Sequence, residues 1–209
     1  MRTLLAIPII HTEHDMGTLL EQIKREYVAR FGQEKWHAHL KSIDDVWGGI
    51  RQMLVMLELP QTSVRLYQDG LPVCGKELEI VRDVAGQGSI NYQLLLELIE
   101  KGAKLEGTED PGLLLQEYRF HQEQLGNSLP EQASQRVELS QKLLMERDKF
   151  IAERINSTLL VGEIGVLFLG LAHSIDAFLD ADILVKPLLL SLRERHSAGS
   201  ALDTNAASK

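Results

Sequence analysis

The chain has 209 residues, 44% of them apolar and 25% charged, and a formal net charge of −8. This length suits one domain with one hydrophobic core. The acidic balance argues against a nucleic-acid partner or a basic membrane-binding surface. The single cysteine, Cys74, excludes an intrachain disulfide and a thiolate metal cluster. No apolar run approaches the roughly 20 residues of a transmembrane helix, and the opening MRTLLAIPII is typical of a strand rather than a signal peptide. We therefore expect a cytoplasmic protein.

Strand-like and helical patterns alternate along the chain. Short apolar runs predict strands at 4–10, 63–68, 103–107, 165–169 and 183–185. Helical spacing and caps predict helices at 16–31, 42–57, 78–85, 90–101, 112–124 and 131–159, with one helical turn at 175–179. This alternation indicates an α/β fold with a mostly parallel central sheet of about five strands and helices on both faces. Residues 1–195 are predicted to form this single domain, and 196–209 a disordered tail.

Side chains that can bind a metal or carry protons follow four of the predicted strands. They are His11 and Glu13 after the first strand, Asp69 after the second, Glu109 and Asp110 after the third with Glu106 on it, and His173 after the fourth. The carboxyl ends of parallel strands meet at one edge of the sheet, where α/β proteins bind ligands. Imidazoles with carboxylates suit a divalent ion such as manganese, zinc or iron, and histidine also transfers protons near neutral pH.

Some of these residues also have a structural explanation. Asp110 stands directly before Pro111 and suits the N-cap of a helix. Asp69 with Gly70 suits a turn. Histidine is neither a favoured cap nor a turn residue, although satisfied buried histidines are common. The sequence alone leaves the functional and the structural explanations open.

Two segments resemble a known superfamily. ERDKFIAERINSTLLVGEIGVLFLGLAH, residues 146–173, places an Arg-Asp pair on a helix before a strand that ends in G-x-x-H. This pattern is similar to the C-terminal signature of the TraB, ChaN and erythromycin-esterase-like superfamily, which includes the Tiki metalloproteases. KLEGTEDPGLL, residues 104–114, is similar to the middle acidic segment of the TraB branch. Together the segments cover about a third of the chain.

The resemblance implies a hydrolase that acts on a small-molecule or peptide substrate. Gly170 and His173 would form the G-x-x-H pair, and Arg147 would be the family arginine. At the other end, the run IPIIHTEHD lacks the glycine that precedes the family's first histidine. Glu13 and His14 therefore compete with His11 for that role.

A divalent metal ion fits this implied hydrolase mechanism. The predicted metal ligands are His11, Glu13, Asp69 and His173. Either Glu106 or Glu109 would be the general base, and Arg147 would stabilise the oxyanion that develops in the reaction. Gly170 and Asp110 are predicted to line the binding site.

A non-catalytic role is the alternative. The same pocket would then hold a small ligand, or a haem with Tyr67 or His173 as axial ligand, or serve a regulatory module. The stripe of Trp47, Met53 and Met56 on the 42–57 helix suits a homodimer face, although such stripes are more often buried core. Arg147 lies beside apolar helix neighbours, so it either extends past the core to solvent or faces an anion at the sheet edge.

Overall fold

The structure is a computed structural model that describes residues 1–9, 20–126 and 133–188. Its strands are β1 (Arg2–Ile9), β2 (Val64–Gln68), β3 (Lys104–Glu106), β4 (Ile164–Gly170) and β5 (Ile183–Pro187). Its helices are α1 (Leu20–Phe31), α2 (Gln33–Met56), α3 (Glu77–Gly86), α4 (Ile90–Glu100), α5 (Pro111–Gly126) and α6 (Ala133–Thr158). Short 3₁₀ turns lie at Gln61–Ser63 and Asp176–Phe178.

The five strands form one sheet in the order β3-β2-β4-β1-β5, and every neighbouring pair is parallel. The predicted α/β class with a parallel five-stranded sheet is therefore confirmed. Because all strands point the same way, their carboxyl ends share one edge of the sheet, which we call the carboxyl edge. β2, β3 and β4 are adjacent in the sheet, so the loops that follow them are neighbours in space.

Two apolar cores cover the two faces of the sheet. One core packs α2, α3 and α4 against β1, β2 and β4, with Trp47 and Phe168 among its fully buried side chains. The other packs α6 against the opposite face, where Leu4, Tyr67 and Ile151 are fully buried. Alternate strand residues point to opposite faces, which explains why Leu66 and Tyr67 lie in different cores. The predicted placement of helices on both faces is thus confirmed.

Helix α2 starts earlier than the sequence predicts. The expected start was residue 42, but the helix begins at Gln33, directly after Gly32, whose φ of 87° ends α1. In the added turns only Trp36 is buried, and its ring packs edge-on against the ring of Tyr27 of α1, with 5.3 Å between the ring centres. This contact between α1 and α2 explains why α2 begins before residue 42, where the helical spacing of apolar residues begins. Trp47 of the stripe considered for a dimer lies in the core, whereas Met56 is exposed.

Pro8 lies in β1, an inner strand of the sheet, where a proline would usually remove a hydrogen bond. Pro8 pairs with Leu169 of β4, but β5 pairs with β1 only as far as Ala6. The Ala6 carbonyl accepts a hydrogen bond from Leu188 on the β5 side. Pro8 has the same orientation as Ala6 and points to that side, where the ladder has already ended, so no ladder bond is lost.

Several predicted features lie outside the described residues. These are the segment 10–19 with His11, Glu13 and His14, and the tail 196–209. Within the described ranges, none of the helices is both long enough and apolar enough to cross a bilayer.

Candidate functional site

Asp69 and Glu109 meet at the carboxyl edge because the loops after β2 and β3 are hydrogen-bonded to each other. The Leu71 carbonyl accepts from the Thr108 and Glu109 amides at 2.9 and 3.0 Å. The Val73 amide donates to the Glu109 carbonyl at 2.9 Å. Gly70, with a φ of 77°, turns the chain directly after Asp69 and donates to Glu109 Oε1 at 3.3 Å. The two carboxylates are thereby held side by side and almost fully buried.

The loop after β4 brings His173 to the same place. The Gly170 amide donates a hydrogen bond to Asp69 Oδ2 at 2.9 Å, and the His173 amide donates one to the Gly170 carbonyl at 3.1 Å. A Cβ at position 170 would lie 2.7 Å from Asp69 Oδ2, closer than carbon and oxygen can approach. The glycine of the G-x-x-H segment is therefore required by the close approach of Asp69.

Arg147 of α6 lies at the centre of this group and is bound by three carboxylates. Its Nε and Nη2 atoms donate to the two oxygens of Glu109 at 3.0 and 2.6 Å. Nη2 also donates to Asp69 Oδ1 at 2.8 Å, and Nη1 lies 2.7 Å from both oxygens of Glu117 on α5. Every nitrogen of the guanidinium is engaged. The predicted oxyanion role would require one of these carboxylates to release the guanidinium.

His173 lies between two further carboxylates. Its Nδ1 atom is 2.5 Å from Asp148 Oδ1, and its Nε2 atom is 3.5 Å from Asp69 Oδ1. The second oxygen of Asp148 accepts from the Ser174 amide at 3.0 Å. Only 4% of the His173 side chain is exposed, so the ring is fixed from both sides. We call the whole group the strand-end cluster: Asp69, Glu109, Glu117, Arg147, Asp148 and His173.

Burial and charge shift the pKa values in this cluster in different directions. Burial raises the pKa of Glu109 above its usual value, although the bonds from Arg147 oppose this. Burial would also raise the pKa of Asp69, but the bond and charge of His173, with Arg147, lower it. Burial would lower the pKa of His173, yet its bonds to Asp69 and Asp148 raise it overall. Of these three groups, Glu109 and His173 thus hold a proton more readily than they would in water, and Asp69 less readily.

Asp69, Glu109 and His173 could hold a metal ion. One donor atom from each lies within 4.8 Å of the other two. Since Asp148 fixes Nδ1 of His173, the Nε2 atom is the one directed at Asp69. Two donors on one tetrahedral ion lie about 3.4 Å apart when each bond is about 2.1 Å, close to the 3.5 Å between Nε2 and Asp69 Oδ1. A carboxylate on the far nitrogen of a metal-binding histidine is also the usual arrangement.

Other predicted site residues lie elsewhere or have a structural partner. Glu106 forms ion pairs with Arg65 and Arg154, the latter at 3.1 Å, and is not part of the strand-end cluster. Of the two candidate middle acids, the structure therefore places Glu109 with His173. Asp110 accepts from the Leu113 amide at 2.9 Å and caps α5, which is the structural explanation given above.

The haem alternative has its candidate ligands in other contacts. The Tyr67 hydroxyl lies 2.8 Å from Thr158 Oγ1 inside an apolar core. Both ring nitrogens of His173 face carboxylates. His11 and Glu13, the predicted ligands after β1, lie outside the described residues and stay predictions; β1 itself ends at Ile9, which pairs with Gly170.

Asp148 and Glu117 belong to the cluster but were not among the predicted site residues. Asp148 follows Arg147 directly on α6, so the two side chains point about 100° apart around the helix axis and reach different partners. The Arg-Asp pair in ERDKF was a signal, since a histidine ligand needs a carboxylate partner. Glu117 lies on a largely exposed helix and carries no comparable signal.

These features define an α/β protein with an all-parallel sheet and a buried acidic cluster at its carboxyl edge. Comparison with models of known protein families, with curated proteins and with solved structures gave no match for this chain. The resemblance to the TraB and erythromycin-esterase-like superfamily therefore depends on the quoted segments alone.

Proposed function

We propose that the chain binds one divalent metal ion through Asp69, Glu109 and His173 and is a metal-dependent hydrolase. The observation that carries this proposal is the orientation of His173. Nδ1 of His173 lies 2.5 Å from Asp148, which suits a proton on Nδ1; when the ring is neutral, the lone pair of Nε2 then faces the carboxylate of Asp69, 3.5 Å away. Two electron-rich atoms that face each other in a buried site are held together either by a metal cation or by a proton on Nε2.

The charge balance of the cluster supports the same proposal. Four carboxylates surround one guanidinium and one imidazole: Asp69, Glu109, Glu117 and Asp148. Even when His173 is protonated, these six side chains together carry a net charge of −2 in a largely buried site. Buried charges without partners are costly, and a divalent ion would neutralise this excess. Protons on Glu109 and His173 are the competing way to reduce it.

Hydrolysis is the activity that best fits a metal site of this composition. A structural zinc site usually has four protein ligands, whereas a catalytic site has about three and keeps a position open. The described part of the chain offers three donors, one after each of three adjacent strands. A bound divalent ion supplies Lewis-acid chemistry for hydrolysis. The chain's own part is to fix the ligands: Asp148 orients His173, and the Gly170 amide orients Asp69.

A non-catalytic metal-binding module is the second candidate, and the burial of the site favours it. Asp69 is 5% exposed, Glu109 is fully buried, and the His173 side chain is 4% exposed. A substrate needs room beside the ion, whereas a regulatory ion does not. Both candidate functions use the same metal site, but only the hydrolase would turn over a substrate.

The metal site can be tested with the full chain after removal of bound metal by a chelator. We expect the protein to bind about one equivalent of Mn²⁺, Zn²⁺ or Fe²⁺ in calorimetry and elemental analysis. The variant His173→Ala should bind at least about tenfold more weakly, because a ligand is lost. His37→Ala, which removes an exposed histidine of α2, is the matched control and should bind like the parent protein.

Two results would overturn the metal site: no binding of any of the three ions, or equal binding by His173→Ala and the parent protein. The catalytic part is tested separately, with the metal-loaded protein and a panel of esters and peptides. Hydrolysis that depends on added metal and is lost in His173→Ala supports the hydrolase. Stoichiometric binding without turnover of any substrate in the panel favours the non-catalytic module.

A further inference from the structure

Arg147 and a metal ion compete for the same oxygen atoms. Asp69 Oδ1 and both oxygens of Glu109 accept hydrogen bonds from the guanidinium. Asp69 and Glu109 are also two of the three candidate ligands. An ion with two positive charges would in addition repel the guanidinium at this short range. We therefore expect metal binding to weaken the contact of Arg147 with these two residues.

Glu117 is the one partner of Arg147 that does not belong to the candidate ligands. Both of its oxygens lie 2.7 Å from Nη1, on the side of the guanidinium away from the Nε and Nη2 contacts. Its side chain is 28% exposed, against 5% for Asp69 and none for Glu109. It comes from α5, whereas the ligands follow strands. Glu117 can thus keep the cation when Asp69 and Glu109 turn to the ion.

We infer that Glu117 is a positioning residue: it retains Arg147 when a metal ion weakens the contacts of the guanidinium with Asp69 and Glu109, and so sets the metal affinity of the strand-end cluster. This inference rests on the proposed metal site. Without the carboxylate at 117, Nη1 loses its partner, and the guanidinium depends on Asp69 and Glu109 alone. The ion then has to displace a more firmly bound competitor.

The test is the affinity for Zn²⁺ and Mn²⁺, measured by calorimetry on the metal-free full chain. Glu117→Gln should bind each ion about tenfold more weakly, the size expected for one charge-assisted hydrogen bond. Glu153→Gln removes an exposed carboxylate from α6 and is the control, with an expected change of less than about twofold. Circular dichroism should show that both variants keep the parent fold.

A double-mutant cycle separates positioning by Glu117 from a general effect of its charge. Lysine at position 147 keeps the positive charge. It lacks the planar guanidinium with which arginine contacts Glu117 and Glu109 at the same time. In the Arg147→Lys background, Glu117→Gln should therefore cost less than about threefold. An equal tenfold loss in both backgrounds would mean that only the charge of Glu117 matters and would overturn the inference.

The remaining outcomes separate this inference from the proposed function. If the parent protein binds neither ion, the metal site and the inference fail together. If the parent protein binds and Glu117→Gln binds equally well, the inference alone fails and the metal site stands. A smaller loss in the Arg147→Lys background, together with an unchanged Glu153→Gln control, supports the role of Glu117.

Discussion

Two charged clusters lie along one face of α6, and they differ in how their charges are balanced. The first is the strand-end cluster around Arg147. The second, which we call the ion-pair network, consists of Arg65, Lys104, Glu106, Arg154 and Glu163. Arg147 and Arg154 are seven residues apart, so they lie on the same side of the helix two turns from each other. One helix thus supplies a guanidinium to both clusters.

The ion-pair network has three cations for two carboxylates. Glu106 contacts Arg65 and Arg154, and Glu163 contacts Arg65 and Lys104. Each carboxylate therefore has two cationic partners, and Lys104 and Arg154 reach solvent. Such a network holds β2, β3 and α6 together and leaves neither of its carboxylates without a cation.

The strand-end cluster has the opposite balance, with carboxylates in excess inside the protein. Burial raises the pKa of Glu109 there, as is common where a protein keeps charges for function rather than for stability. The comparison teaches that ion pairs alone do not mark a site. An excess of buried carboxylates beside an imidazole is the stronger indication of one.

Removing each arginine in turn should break the two clusters to very different extents. In metal-free protein, Arg147→Met leaves the buried carboxylates of Asp69 and Glu109 without their cation. We expect a loss of about 3–5 kcal/mol in the free energy of unfolding, measured by urea denaturation. Arg154→Met is the matched change on the same helix face and should cost about 1 kcal/mol or less, because Glu106 keeps Arg65 and stays partly exposed. Similar losses in the two variants would remove the distinction between the clusters.

A single methyl group at Gly170 should damage the strand-end cluster while leaving the ion-pair network intact. In Gly170→Ala the new Cβ would lie 2.7 Å from Asp69 Oδ2, so the carboxylate or the strand must move. We expect a loss of about 1–3 kcal/mol in the free energy of unfolding and weaker binding of Zn²⁺. Gly48→Ala is the control. Gly48 lies in the middle of α2, and a Cβ there would have no neighbouring atom within 4 Å. This substitution should stabilise the protein by about 0.5–1 kcal/mol, and a loss of similar size in both variants would contradict the proposed contact.

The fold could be predicted because the period of the apolar residues reports directly on the elements. All five strands lie within two residues of the predicted bounds, and the helices between β1, β2, β3 and β4 indicated that these strands are parallel. Only a 3₁₀ turn separates β4 from β5. The start of α2 could not be predicted, since Trp36 is buried by contact with α1 rather than by a local pattern. A packing contact between two helices does not produce a repeating pattern of apolar residues in the sequence.

The site could be predicted only in part. Strand ends pointed to Asp69, Glu109 and His173, which the structure brings together. The choice between Glu106 and Glu109 needed the hydrogen bonds between the loops after β2 and β3, which no local pattern encodes. Asp148 was next to a predicted residue and still carried no assigned role, because side-chain partners depend on how α6 is rotated against the sheet.

The ion-pair network should show the pH dependence of an ordinary salt bridge. The bond to Arg65 lowers the pKa of Glu163 to about 2, from an ordinary value of about 4.5. A carboxyl group whose pKa is lowered by folding stabilises the protein above its unfolded pKa, and this contribution is lost as the pH falls. The free energy of unfolding of Glu163→Gln should therefore be about 1 kcal/mol below that of the parent protein near pH 7. The difference should shrink between about pH 4.5 and pH 2.

Glu153→Gln, which removes an exposed carboxylate, should show a smaller difference throughout. If the difference for Glu163→Gln stays constant down to pH 2, the charge of Glu163 is not what stabilises the network, and the contrast between the clusters would need another cause.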